Sequence, residues 1–228
     1  MRVAIIPARI GSKRILRKNI KKFAGKPIIY YSIEAALLSK LFDHVIVSTD
    51  DQEIARIAKK CGAEVPFIRP YDLANDTALT SDVVIHSIKW ALNNDWDIKE
   101  VCCIYATAPF IEIDNIKEGQ KMLSTGLWSY VFSATVFSSS IYRSFQLNNK
   151  GGVEMLYPEY FSTRSQDLPD TFHDAGQFYW ADKDTWLSNQ IFFNKNAYPI
   201  IIPNWRTHDI DTLDDWKKAE LIWSALYE

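Results

Sequence analysis

Residues 6–19, "IPARIGSKRILRKN", set Arg9, Lys13, Arg14, Arg17 and Lys18 directly behind an apolar run. Eight of the chain's 26 basic residues fall between Arg9 and Lys26, yet the formal net charge is only −2. A positive focus inside a balanced chain suits a small polyanion better than nucleic acid or a membrane surface. Around Gly11 and Ser12 the backbone can also turn its N–H groups toward an anion, so cations and amides together suffice to hold a triphosphate. Charge alone leaves open a solvated basic turn ahead of a helix. The loop has neither G-x-G-x-x-G nor the Walker pattern, which argues against a dinucleotide fold and a P-loop kinase.

A second constellation lies near the C-terminus, where "THDIDT" places Asp209 and Asp211 two residues apart. In an extended segment i and i+2 point to the same side, so both carboxylates can reach one cation. Oxygen ligands of this kind suit Mg²⁺, which keeps water and substrate phosphate in its shell. The competing role is capping of a helix that starts near Leu213, for which Thr212 also qualifies. His208 reads as a structural histidine. Of the pair Asp50 and Asp51, Asp50 after "VST" reads as a helix N-cap rather than a ligand.

The elements that must position these residues alternate along the chain. "RVAIIP" is the continuous apolar run of a central parallel strand. "KPIIYYSIEAALLSK" follows as a helix, with Pro27 suited to its first turn. "HVIVST" reads as a strand, "DDQEIARIAKKCG" as a helix ending at Gly62, and "AEVPFI" as a third strand. "SDVVIHSIKWALNN" reads as a helix capped by Ser81 or Asp82, "VCCIYAT" as a strand, and "EIDNIKEGQKMLSTG" as a helix closed by Gly126. Such alternation predicts a largely parallel sheet with right-handed crossovers, a three-layer α/β/α sandwich in one domain over residues 1–228. In such sheets ligands sit beyond the carboxyl ends of the strands, where residues 8–19 begin.

The rhythm breaks over residues 138–175, which carry few helix signals; an excursion this long is functional or packs on something, and a dimerisation arm is the expectation. Regular structure returns with "GQFYWAD", a helix near "KDTWLSN", the strand "YPIIIP" and a last helix "LDDWKKAELIWSALY". At 228 residues with 47% apolar content, the chain is ordinary for a soluble globular protein. No apolar run reaches the roughly 18 residues of a membrane span, and the N-terminal run is too short for a signal-peptide core. Cys61, Cys102 and Cys103 are odd in number and lack C-x-x-C spacing, so they read as reduced thiols in a cytoplasmic protein.

Taken together, "IPARIGSKRILRKN", "VSTDDQEIA", "IRPYDLANDTA", the "TAP" after the fourth strand and "HDIDTLDDW" resemble the cytidylyltransferases that activate nine-carbon acidic sugars, the CMP-sialic acid synthetase type. The resemblance runs over nearly the whole chain. It implies a Rossmann-like nucleotide-diphospho-sugar transferase sheet, CTP and a nonulosonic acid as substrates, Mg²⁺ as cofactor, and a homodimer whose arm reaches the neighbouring site. "YATAPF" and "QDLPDTFHDAGQFYW" look like the branch acting on pseudaminic acid. The loop departs from the commoner "GGSKRIPRKN" at Ile10 and Leu16.

By the same resemblance Arg9, Lys13 and Lys18 would contact the triphosphate and stabilise charge as pyrophosphate leaves, with Ser12 and Asn19 supporting nucleotide placement. Arg69 would lie near cytosine, with Ala78 and Thr80 completing the pyrimidine pocket. Tyr105 and Thr107 would face the sugar. Arg164, Gln166, Gln177 and Tyr179 suit a sugar carboxylate and acylamido groups, and Phe192 and Phe193 an apolar wall. Asp209 and Asp211 would hold the metal. Two other readings stay open: a synthetase for sialic, legionaminic or another ulosonic acid, and a nucleotide-sugar-binding protein without catalysis.

Overall fold

The computed structural model describes residues 1–227. In chain order the elements are β1 (Arg2–Pro7), a minimal hairpin of β2 (Lys22–Phe23) and β3 (Lys26–Pro27), α1 (Ile29–Ser39), β4 (His44–Ser48), α2 (Gln52–Lys60), α3 (Thr80–Leu92), β5 (Glu100–Ile104), α4 (Ile113–Leu123) and β6 (Tyr130–Val136). A second hairpin follows, β7 (Phe145–Leu147) and β8 (Val153–Met155), then β9 (Phe172–Asp182), α5 (Lys183–Leu187), β10 (Ala197–Ile201) and α6 (Leu213–Tyr227). Six strands form one sheet in the order β10-β6-β9-β5-β1-β4. All its pairings are parallel except those of β9, which runs antiparallel between β5 and β6.

The apolar run of β1 is continuous because both of its faces are covered. Val3 and Ile5 pack in one core with Val84 and Ile88 of α3, while Ala4 and Ile6 pack in another with Ile33 and Ala36 of α1 and Ile116 of α4. This is the three-layer α/β/α sandwich that the alternation predicts. A third cluster under α6 gathers Phe23, Tyr31, Phe110 and Trp216, with Phe23 meeting three of its neighbours edge-on at 5.6–6.2 Å. It ties the C-terminal helix to the base of the basic loop. Among the described residues no helix is long and apolar enough to cross a membrane.

Several local expectations give way to the structure. "AEVPFI" is not a strand: only Glu64 bridges to Ile46, and Pro66, without an N–H, cannot extend the ladder. Pro27 lies in β3 rather than in the first turn of α1. Asp51, not Asp50, caps α2, accepting the N–H groups of Glu53 and Ile54 at 2.9 Å each. Helix α3 begins at Thr80 with Leu79 in the capping position, so Ser81 and Asp82 are helical. The excursion after residue 137 is the exposed β7–β8 hairpin flanked by 3-10 turns, and its last residues, from Phe172, already belong to β9.

Candidate functional site

The sheet reverses its order between β1 and β5: from β1 the parallel chain passes outward to β4, and later elements fill the other side. A cavity of about 540 Å³ opens at the carboxyl ends of these two strands, a volume suited to a nucleotide-sized ligand. Its walls carry Arg9, Lys13, Arg14, Lys18 and Arg69 against the carboxylates Asp76, Asp209 and Asp211, so the site is net cationic.

The basic loop leaves β1 and is pinned at three points. Asn19 Nδ2 donates to Arg9 O at 2.8 Å, Ile10 N donates to Asp50 Oδ1 at 3.0 Å, and Arg9 Nη1 donates to Asn75 O at 2.8 Å. Asn19 and Asp50 thereby fix the backbone where the loop carries Ile10, which itself packs against the core. Four of its five cations face the cavity, while Arg17, in a left-handed conformation with φ 54°, turns away to Glu53. The four pair with internal carboxylates: Arg9 meets Asp76 at 2.9 Å and Lys13 meets it too, whereas Arg14 and Lys18 meet Asp211 at 2.6 and 3.2 Å. Lys13 and Arg9 hold the Asp76 carboxyl below the usual range. A bound polyanion competes with Asp76 and Asp211 for these cations, so the cradle is charged and already charge-compensated before a ligand enters.

Arg69 stands apart. It is 4% exposed, its Nε and Nη2 find no acceptor among the described residues, and Asp50 Oδ1 is 3.8 Å away. Burial lowers its pKa, with Asp50 opposing and Arg9 adding to the shift. A buried guanidinium at a cavity wall with free donors is built to receive an acceptor from a ligand. Ala78 and Thr80 line the same wall.

Asp209 and Asp211 both border the cavity from an extended segment, and α6 does not need them as caps. Thr212 and Asp215 cap that helix reciprocally, Asp215 N donating to Thr212 Oγ1 at 3.2 Å and Thr212 N to Asp215 Oδ2 at 2.8 Å. Burial and the neighbouring Asp211 charge push the Asp209 carboxyl up. Two hard oxygen ligands on one side fit Mg²⁺ that completes its shell with phosphate and water. Among the described residues no group of three or more His, Cys, Asp or Glu could hold a metal ion.

The segment carrying the two aspartates is braced by residues that sequence reasoning assigned elsewhere or missed. Gln177, expected at the sugar, is 3% exposed and donates from Nε2 to Arg206 O at 2.9 Å, while Arg206 pairs with Glu112 ahead of α4. Thr135 Oγ1 donates to Ile202 O at 2.9 Å just upstream. His208 is held by Trp205 O at 2.8 Å, and burial lowers its pKa. Arg14, counted among the loop cations but given no role of its own, joins the cavity wall, and sequence reasoning missed Asn75 and Asp76 as partners of the loop.

Of the other expected sugar residues, Tyr105 and Thr107 line the cavity. Tyr179 lies behind Tyr105, 3% exposed, with ring centroids 5.6 Å apart. Phe192 packs into the core against Tyr130 and Trp186, and Phe193, 60% exposed, borders a separate shallow hollow with Phe132. Arg164 and Gln166 lie in the exposed excursion and do not reach this chain's cavity.

A mainly parallel sheet with a cation-lined cavity at its switch point, bordered also by a carboxylate pair, defines a nucleotide-handling α/β protein. The cytidylyltransferase family pattern matches residues 3–148. A pseudaminic acid cytidylyltransferase of Campylobacter jejuni is 40% identical over 226 residues, covering 99% of this chain and 97% of that protein. A CMP-N,N'-diacetyllegionaminic acid synthase of Legionella pneumophila is 32% identical, covering 96% and 94%. The fold is shared with a solved CMP:2-keto-3-deoxy-manno-octonic acid synthetase complexed with CTP, at a TM-score of 0.72 and 16% identity over 98% of each chain. The chain belongs to the cytidylyltransferase family and is a CTP-dependent nucleotidyltransferase.

Proposed function

We propose that the protein transfers CMP from CTP to the anomeric hydroxyl of pseudaminic acid, releasing pyrophosphate. The observation that carries this reading is the cavity that gathers Arg9, Lys13, Arg14 and Lys18 together with Asp209 and Asp211, at the ends of β1 and β5. The full-length likeness to the Campylobacter protein supports the choice of sugar.

In this mechanism Arg9, Lys13 and Lys18 grip the triphosphate, and Ser12 and Asn19 keep the loop shaped around it. The sugar oxygen attacks the α-phosphorus, a new P–O bond forms, and the bond to the bridging oxygen of pyrophosphate breaks. The loop cations stabilise the charge growing on that leaving group. Arg69 offers its free donors to the cytosine ring, whose carbonyl and ring nitrogen are acceptors, while Ala78 and Thr80 close the pocket to larger bases. Tyr105 and Thr107 border the acceptor sugar. Asp209 and Asp211 hold Mg²⁺, which when bound supplies neutralisation of phosphate charge.

Residues 1–228 act as one domain in this reading, and two copies form a homodimer. The β7–β8 hairpin supports that assembly, since a lone hairpin is marginal in water and this one exposes Phe145, Leu147 and Val153 by 58–70%. The hairpin of each subunit crosses to the other, bringing Arg164 and Gln166 to the neighbour's sugar. Three free cysteines, two of them fully buried, fit a reducing cytoplasm.

The test follows α-labelled CTP with Mg²⁺ and either pseudaminic or N-acetylneuraminic acid. Label in a CMP-sugar with pseudaminic acid alone supports the reading. Label with neuraminic acid instead keeps the reaction and overturns the sugar. CTP binding without transfer to any ulosonic acid overturns catalysis.

A further inference from the structure

Arg14 is a loop cation for which the mechanism above names no task of its own. It follows Lys13 in the chain, yet the two pair with carboxylates of different segments, Lys13 with Asp76 ahead of α3 and Arg14 with Asp211 ahead of α6. Both carboxylates line the cavity. The loop is pinned at Arg9, Ile10 and Asn19. Its tip carries Lys13 and Arg14 on ion pairs that a charged ligand can exchange.

Both oxygens of Asp211 are taken. Oδ2 meets Arg14 Nη2 at 2.6 Å, and Oδ1 meets Lys18 Nζ at 3.2 Å. The two cations are held unequally. Lys18 Nζ also donates to Ile210 O at 2.7 Å, between the two aspartates, and its side chain is 19% exposed. The Arg14 side chain is 66% exposed, and Asp211 is the carboxylate it meets among the described residues. A divalent cation and a guanidinium on one carboxylate oxygen repel each other, so a metal ion at Asp211 Oδ2 costs Arg14 its partner. The pair that opens is the exposed one, whose hold is weak and screened. A guanidinium freed at the wall of a phosphate-receiving site finds its next acceptor there, since its planar fork matches two phosphate oxygens.

We propose that Arg14 is a further phosphate-binding residue, held in the empty site by Asp211 and passed to the nucleotide's phosphates when a divalent cation takes Asp211. The proposal rests on the reading of Asp209 and Asp211 as the metal pair and of the cavity as the CTP site. Two opposite effects follow from one side chain. Before the nucleotide arrives, Arg14 competes with the metal for Asp211. Once metal and nucleotide are both bound, it grips the phosphates beside Lys13.

The experiment compares wild type, Arg14→Met and Arg17→Met. Arg17 belongs to the same loop but turns away to Glu53, so its variant removes the same charge without touching the cavity. Mn²⁺ binding to the nucleotide-free protein is read by electron paramagnetic resonance, and CTP affinity with saturating Mg²⁺ by calorimetry. Arg14→Met should bind Mn²⁺ roughly two- to fivefold more tightly than wild type, the hold of an exposed ion pair. It should bind CTP at least tenfold more weakly, the loss of a charged contact. Arg17→Met should stay near wild type in both. Mn²⁺ affinity unchanged or weakened in Arg14→Met overturns the proposal. Tighter Mn²⁺ with CTP affinity retained also overturns it, since Arg14 then only screens Asp211. Equal shifts in Arg17→Met assign the effects to the charge of the loop as a whole and overturn it as well. Mn²⁺ bound by neither wild type nor Arg14→Met overturns the metal pair itself, and wild type that binds no CTP overturns the reading of the cavity.

Discussion

Replacing Arg69 with methionine should make the free protein more stable and its binding of CTP weaker. Arg69 is 4% exposed and leaves Nε and Nη2 without acceptors among the described residues. Each unpaired buried donor costs about 1–3 kcal/mol, so the pair costs roughly 4 kcal/mol. Methionine fills similar volume with no donor to satisfy. Against this stands the loss of a charged neighbour for Asp50, 3.8 Å away. Asp50 keeps the Ile10 N–H at 3.0 Å, which limits the opposing term to about 2 kcal/mol. The balance favours Arg69→Met by about 2 kcal/mol, or roughly 4–8 °C in Tm for a chain of this size.

Addition of CTP narrows the gap. At a hundredfold excess over Kd, CTP stabilises wild type by about 2.7 kcal/mol. Losing a charged contact worth about 1.5–3 kcal/mol weakens binding at least tenfold, which leaves the variant less than about 1.4 kcal/mol from the same CTP. Thermal melts with and without CTP read both terms. A variant that melts lower without ligand, yet keeps the full CTP shift, refutes the assignment of Arg69 as a strained base-reading group.

Other perturbations separate the brace, the metal pair and the core. Glu112→Ala releases Arg206 and loosens the segment ahead of Asp209, so the Mg²⁺ concentration for half-activity should rise several-fold while calorimetric CTP affinity holds; an unchanged requirement excludes the brace. The raised Asp209 pKa means that its ionisation costs the free fold: this contribution favours the fold at low pH and is lost as pH rises through the raised value. Metal needs the ionised form, so Mn²⁺ binding measured by electron paramagnetic resonance should strengthen as pH rises from about 4 toward 7, and Asp209→Asn should flatten that profile. Gly119→Ala would set a Cβ at 2.8 Å from Trp180 Cδ1 and 2.9 Å from Phe178 Cε2, both rings fully buried. Denaturant unfolding should show a loss of about 1–3 kcal/mol with KM for CTP unchanged.

The sheet and the polyanion loop were legible because each is written in contiguous residues. β1 reads as a central strand from its unbroken apolar run, and the loop from cations packed into ten positions. Contacts between distant segments were not legible. Gln177 looks like a ligand-binding polar residue in "GQFYW", and only the fold brings Arg206 O to its amide. Phe192 and Phe193 are adjacent, so a strand-like or turn backbone must send them to different surroundings, and Phe192, partly buried, packs against the core while Phe193 stays exposed. "AEVPFI" failed as a strand because apolar composition does not reveal that Pro66 ends the ladder after a single bridge. Asp50 and Asp51 differ by one position, below what cap signals resolve, and the structure gives the cap to Asp51 and the loop to Asp50.

The central claim is that the loop cations and the Asp209–Asp211 pair act together on CTP. Pyrophosphate release from CTP, Mg²⁺ and pseudaminic acid by wild type and Asp211→Ala, both checked for fold by circular dichroism, tests it most directly. The account predicts sustained release by wild type and turnover lowered at least a hundredfold in the folded variant, a loss of roughly 2.7 kcal/mol or more. Near-normal release by Asp211→Ala would contradict it.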